Sequence, residues 1–311
     1  KSLNIFVNLS IFYLLIYLYF IFFNIELNEI IQTIGKWLFL FVIIGLIIQQ
    51  RKYLLFLIAI FLILYSLKVS DRTVVVITLM YILFYFYNQQ ITIKRNLVEN
   101  LKLYFNFLSL SVVILFSIVF TKYFAVLLRG ANYNFDILKR IIFDLNKSFE
   151  PFIIYGHTIF SLENFKNFSS IDYLLSILSN LTLYPSYFNL SSNYYNISLM
   201  KNFPELSFGL AGSIYASTYM AFGYFGLLII GYLYGFFLKY GDFRFKYYKN
   251  SFTICLVSIF LIMAIYIHRN GLDNFFSFVR QIFILYLFIK IQISILYLLL
   301  FNQSTKIKNI K

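Results

Sequence analysis

The chain contains eight arginines, at positions 51, 72, 95, 129, 140, 244, 269 and 280, and they carry most of its chemical information. Arg72, Arg129 and Arg269 each lie beside a long apolar run, at the end where basic residues are otherwise scarce. A planar guanidinium presents paired donors that match phosphate oxygens two at a time. Three of them converging at one membrane face would hold a diphosphate-bearing substrate without a metal. Snorkelling toward anionic lipid accounts for an arginine in such a place equally well. Arg280 falls within the first turns of the last apolar run. A charge there is costly unless it faces a polar cavity, which makes it a fourth candidate.

Acid–base groups are few. Glu205 stands in the stretch Pro-Glu-Leu-Ser-Phe-Gly (204–209), shortly before an apolar run, and His268 adjoins Arg269. Either would take a proton near a membrane surface. Asp71 and Asp273 read more simply as local partners of Arg72 and Arg269, and His157 as a structural residue. No His, Asp or Glu pair falls at i,i+4 spacing on an expected helix, and no Asp-x-Asp stands at an outer helix end. No metal and no cofactor is therefore expected. The single Cys255 excludes a disulfide framework, and two histidines argue against haem and copper centres.

The most distinctive segment is rich in glycine. Six of the twelve glycines fall between 209 and 235, and the order Tyr219-x-x-Phe222-Gly223-x-x-Gly226 follows Gly212-Ser213. Small residues let membrane helices approach closely, and ordinary packing explains any one of them alone.

Membrane helices must position these groups. Of 311 residues, 61% are hydrophobic, 22% aromatic and 12% charged. A soluble domain is nearer half apolar and a quarter charged, and so apolar a chain could not cover its surface in water. Soluble enzymes, disordered chains and nucleic-acid-binding domains are excluded on that ground. The net charge of +14 resides in basic residues placed between apolar runs. An abundance of Asn and Lys with little Ala and Pro is the mark of an AT-rich genome, so single aromatics carry little weight.

Apolar runs of spanning length lie at 3–23, 34–50, 53–69, 73–90, 103–121, 212–238, 251–267 and 274–300. They predict an all-α, polytopic membrane helix bundle of about eight spans. The first run lacks a cleavage site and reads as a retained helix. Because residue 1 is Lys, an initiator Met or some preceding sequence is expected ahead of it. With Lys1 inside, the short inner connections are far richer in Lys and Arg than the short outer ones. Both termini are therefore expected in the cytoplasm. The chain divides into N-terminal helices (1–121), a long outer loop (122–211) and C-terminal helices with a tail (212–311). The loop carries seven basic and six acidic residues, with helix-like apolar spacing at 136–147 and 171–181. A connection that long in a tightly connected bundle is usually functional.

Taken together, the outer arginines, the long late loop and the Gly-Ser…Tyr-x-x-Phe-Gly-x-x-Gly helix resemble bacterial O-antigen and oligosaccharide repeat-unit polymerases. Gly212, Tyr219, Phe222, Gly223 and Gly226 carry the match, with Asp71-Arg72, Arg129-Gly130 and His268-Arg269 at corresponding places. The Glu commonly found two residues before the motif Tyr is Ser217 here, a departure that removes one carboxylate.

The resemblance implies a cofactor-independent membrane glycosyltransferase of the bacterial inner membrane. It would join repeat units carried on undecaprenyl diphosphate into a surface polysaccharide such as O-antigen or capsule, by inverting transfer without a metal. Arg72, Arg129, Arg269 and Arg280 would bind diphosphate, and Glu205 or His268 would take the acceptor proton. The lipid bilayer and the lipid-linked oligosaccharide are the expected partners. A flippase and a chain-length regulator fit beside them, and nucleic acid does not.

Two other classes stay open. A transporter or flippase of lipid-linked oligosaccharide would use similar arginines, against which stand the long loop and the lack of an inverted repeat. A membrane acyltransferase modifying a surface glycan would want a His deep in the membrane beside an acid, and neither His157 nor His268 sits so.

Overall fold

The computed structural model describes residues 2–69, 73–91, 159, 169–182 and 214–308. Among these the chain is helical: α1 (Ser2–Phe22), α2 (Glu29–Gly35), α3 (Leu38–Ile48), α4 (Lys52–Val69), α5 (Thr73–Ile91), α6 (Ser170–Leu181), α7 (Ile214–Tyr247) and α8 (Ser251–Lys308). Four stretches of the described residues are long and apolar enough to cross a membrane: Ser2–Phe22, Glu29–Ile48, Ile214–Tyr247 and Phe275–Leu299. Tyr53–Tyr65 and Ser251–Ala264 are shorter apolar helices. The apolar run at 103–121 lies outside the described residues.

The chain forms two compact units, Tyr13–Ile142 and Lys1–Phe12 with Phe143–Lys311. This division cuts across the N-terminal, loop and C-terminal segments expected from hydropathy, because packing rather than apolar content draws it, and α1 contributes to both units.

In the first unit α3 is the centre. Every residue from Leu38 to Ile47 is buried, as a helix apolar on all sides must be. It packs on α4 and α5. The Tyr17 hydroxyl donates to the Gln32 carbonyl (3.1 Å) and shares a hydrogen bond with the Tyr65 hydroxyl (3.1 Å). Gly35 lets this pair form, since a Cβ there would stand 2.5 Å from the Tyr17 ring. The expected span at 34–50 thus begins earlier, and a turn at Lys36-Trp37 divides it into α2 and α3.

The ends of α1 and α3 share one device. Asn24 and Gln50 adopt positive φ (54° and 59°). The next amides, of Ile25 and Arg51, donate back to Phe20 and Leu46 (both 3.0 Å). These are paired left-handed caps that satisfy the last carbonyls and reverse the chain sharply.

In the second unit α7 and α8 form an antiparallel hairpin. The Tyr234 hydroxyl donates to the Ala264 carbonyl (3.4 Å), Gly241 lies against the Phe260 ring, and Arg244 packs over Tyr248 (4.4 Å) and Phe252 (5.6 Å). These cation–π contacts carry α7 through Tyr247, beyond the expected end at 238. Lys239, Arg244 and Lys246 therefore stand on the helix rather than in a loop, and the connection shrinks to Tyr248–Asn250. Asn250 caps α8, accepting from the Thr253 amide (2.8 Å).

Helix α8 keeps helical backbone over 58 residues, roughly 87 Å if straight. It is not straight. Phe252 and Tyr286 would then be about 51 Å apart, yet their ring centroids are 6.0 Å apart. The helix folds back into two arms, and the position midway between the two rings is 269. Hydropathy predicts a short non-helical connection between runs 251–267 and 274–300. The backbone there is instead helical, but the reversal falls where that connection is expected.

Candidate functional site

The glycine motif is where α7 breaks. Gly223 has φ +63° and ψ −156°, a region open essentially to glycine alone. Nothing lies within 4 Å of a Cβ built there. Its role is therefore conformational and not close packing. The break makes the second glycine necessary. A Cβ on Gly226 would lie 2.4 Å from the Phe222 Cβ and 3.2 Å from Thr218, whereas side chains one turn from each other on an intact helix stand about 5–6 Å apart at Cβ. Across the same break the Tyr219 and Tyr224 rings meet edge to face at 5.0 Å. Tyr219, Phe222, Gly223 and Gly226 thus act as one unit. Gly231 and Gly235, further along, meet nothing within 4 Å.

The broken end of α7 is also where the long connection docks. Ser169 caps α6, its hydroxyl accepting from the Asp172 amide (3.2 Å), and the Ser170 hydroxyl donates to the Ala221 carbonyl. That bond occupies a carbonyl two residues before the break. The Tyr173 hydroxyl donates to Ser217 (2.9 Å), which donates to the Ile214 carbonyl (3.2 Å), and the Tyr173 ring lies 6.3 Å from that of Phe222. Ser176, Ser179, Asn180, Ser217 and Thr218 are all buried, so the seam is polar. Thr218 Oγ1 has no hydrogen-bond partner among the described residues. At the other end of α6, Arg280 Nη1 donates to the Thr182 carbonyl (2.7 Å). A cation at a helix C-terminus meets both a free carbonyl and the negative end of the helix dipole.

This geometry refines the expected site. Arg280 holds the end of α6, with one of its five donors committed to that carbonyl. Ser217, which stands where the polymerase pattern carries a Glu, is a buried hydroxyl bonded to Tyr173. His268 and Arg269 lie on helical backbone at the reversal of α8, but their side chains are outside the description. Arg72, Arg129, Glu205 and Gly212 lie outside the described residues.

The chain matches no family model, no curated protein and no solved structure.

Sequence reasoning marks 171–181 as helical but misses Tyr173, which bonds α6 to α7, and the buried polar face it shares with Ser176 and Asn180. The signal is present in retrospect: Ser and Asn fall together on the face opposite Ile171, Leu174, Leu178 and Leu181. Chemically, the arrangement is a broken membrane-length helix whose irregular backbone is covered by a polar helix face. Irregular backbone at membrane depth is tolerated where protein buries it or where it borders a polar cavity.

Proposed function

We propose that this protein polymerises undecaprenyl-diphosphate-linked oligosaccharide repeat units into a surface polysaccharide, at the outer face of a bacterial inner membrane. In this reading eight helices span the membrane, both termini are cytoplasmic, and residues 122–211 form an outer loop. The observation that carries it is the break at Gly223. The motif on which the resemblance rests is a conformational unit, a helix break, and the long connection is fastened to it through Ser170 and Tyr173. Packing glycines alone would leave α7 unbroken.

The chemistry follows from the residue types. An acceptor sugar hydroxyl attacks the anomeric carbon of the donor from the face opposite its diphosphate. The anomeric C–O bond breaks with inversion, and the lipid diphosphate departs with the electron pair. Arg72, Arg129 and Arg269 stabilise the charge that develops on the leaving group. Glu205 or His268 takes the acceptor proton. Ser217 cannot, being a neutral hydroxyl already bonded to Tyr173.

The test is single replacement of Arg72, Arg129 and Arg269 by Ala, with membrane expression checked by immunoblot and polysaccharide length read on a gel. Each variant should lose the long-chain ladder while the protein level holds. Wild-type chain length in all three would refute the assignment.

A further inference from the structure

Helix α6 is built inside out. Its buried side carries Tyr173, Ser176, Ser179 and Asn180. Its outer side carries an unbroken apolar stripe: Ile171 (70% exposed), Leu174 (47%), Leu178 (47%) and Leu181 (43%). The spacing of three, four and three residues puts all four on one face. A helix in water turns this pattern the other way, because exposed aliphatic side chains forgo the stabilisation that burial gives. Bilayer hydrocarbon removes that cost.

The position of α6 points to the same surroundings. Its anchoring points on α7 and α8 are polar: Ser170 and Tyr173 on α7, and the Thr182 carbonyl on Arg280. Both partners contain stretches of membrane-crossing length. Arg280 lies five residues into Phe275–Leu299, about 7.5 Å along the helix axis. Amphipathic interfacial helices bury their apolar face about 5–10 Å into the headgroup–acyl boundary. The outer faces of the neighbouring helices are apolar as well, with Tyr224, Phe225, Leu228 and Ile291 exposed. The polar N-terminal turn of α6, with Ser169, Ser170 and Asp172, is the end suited to the headgroups.

We infer that α6 lies in the membrane interface with Ile171, Leu174, Leu178 and Leu181 against lipid acyl chains. The long connection is thereby held to the bilayer at the depth of Arg280. This inference rests on the two faces of α6 and on its anchors, and it stands whether or not the protein is a polymerase.

Nitroxide scanning of the full-length protein in phosphatidylethanolamine–phosphatidylglycerol vesicles tests it. Single cysteines replace Ile171, Asp172, Leu174, Leu178 and Leu181 in turn. The unsubstituted protein, whose Cys255 is buried, gives the background. Collision with oxygen reports hydrocarbon, and collision with a water-soluble nickel chelate reports water. The expected result is an oxygen-to-nickel ratio several-fold higher at the four stripe positions than at Asp172. A nickel preference along the stripe would place it in water and overturn the inference. Low collision with both reagents would place it under protein and overturn it equally. The Ile and Leu to Cys changes leave the hydrogen bonds of Ser170, Tyr173 and Arg280 in place, and circular dichroism of each labelled protein verifies the fold.

Discussion

Helices α3 and α6 are both rich in Ile and Leu, and they turn those residues in opposite directions. In α3, Leu38 through Ile47 are all buried, and the helix packs on α4 and α5. In α6, Ile171, Leu174, Leu178 and Leu181 face outward while Ser176, Ser179 and Asn180 are enclosed. The difference separates two meanings of apolar in a membrane-length chain. In α3 the apolar residues are the core. In α6 they are a surface, and the hydroxyls of Ser170 and Tyr173 with the Arg280 guanidinium tie the helix to its neighbours. Lipid is as apolar as leucine, so helix association in it depends on close packing and hydrogen bonds.

Truncation should act very differently in the two helices. Phe41→Ala in α3 opens a cavity in an enclosed core and should cost about 3–5 kcal/mol, read as a large drop in the thermal transition of the detergent-solubilised protein. Gly223→Ala should cost about 1–3 kcal/mol, because alanine does not adopt the backbone found there, and it should loosen α6 as measured by hydrogen exchange at 170–173. Gly231→Ala, with open space at its Cβ, should do neither.

Tyr173→Phe keeps the ring and removes the bond to Ser217, for a loss of about 1 kcal/mol. Its signature would be faster exchange confined to α6. Leu174→Ala on the outer stripe should change stability by no more than about 0.5 kcal/mol. A loss at Leu174 comparable to that at Phe41 would erase the contrast, since it would mean that protein encloses both faces of α6.

Much of the architecture was legible from apolar content. α1, α4, α5 and the two arms of α8 fall close to the runs expected for them, because about twenty apolar residues in sequence have few alternatives to a helix in lipid. What hydropathy could not show was where a helix turns or breaks. The cap at Gln50 gives no glycine signal. The extension of α7 to Tyr247 depends on Arg244 stacking with rings beyond the helix end. The site was only partly legible. The motif order singled out Tyr219, Phe222, Gly223 and Gly226, but the sequence offered close packing as the plain explanation for each glycine. The backbone assigns different tasks: Gly223 makes the break and Gly226 admits Phe222 beside it. The anchoring of α6 by Arg280 joins residues 98 positions from each other in sequence, a separation over which no local pattern carries information.

Extension of lipid-linked glycans by this protein is tested by deleting its gene in the native host and analysing both lipid-linked oligosaccharide and surface polysaccharide. Long-chain polysaccharide should disappear and single repeat units should accumulate on the lipid carrier at the outer face of the inner membrane, both reversed by the wild-type gene and not by Arg269→Ala. Unchanged chain length would contradict it, as would accumulation of the lipid-linked unit at the cytoplasmic face, the signature of a lost flippase.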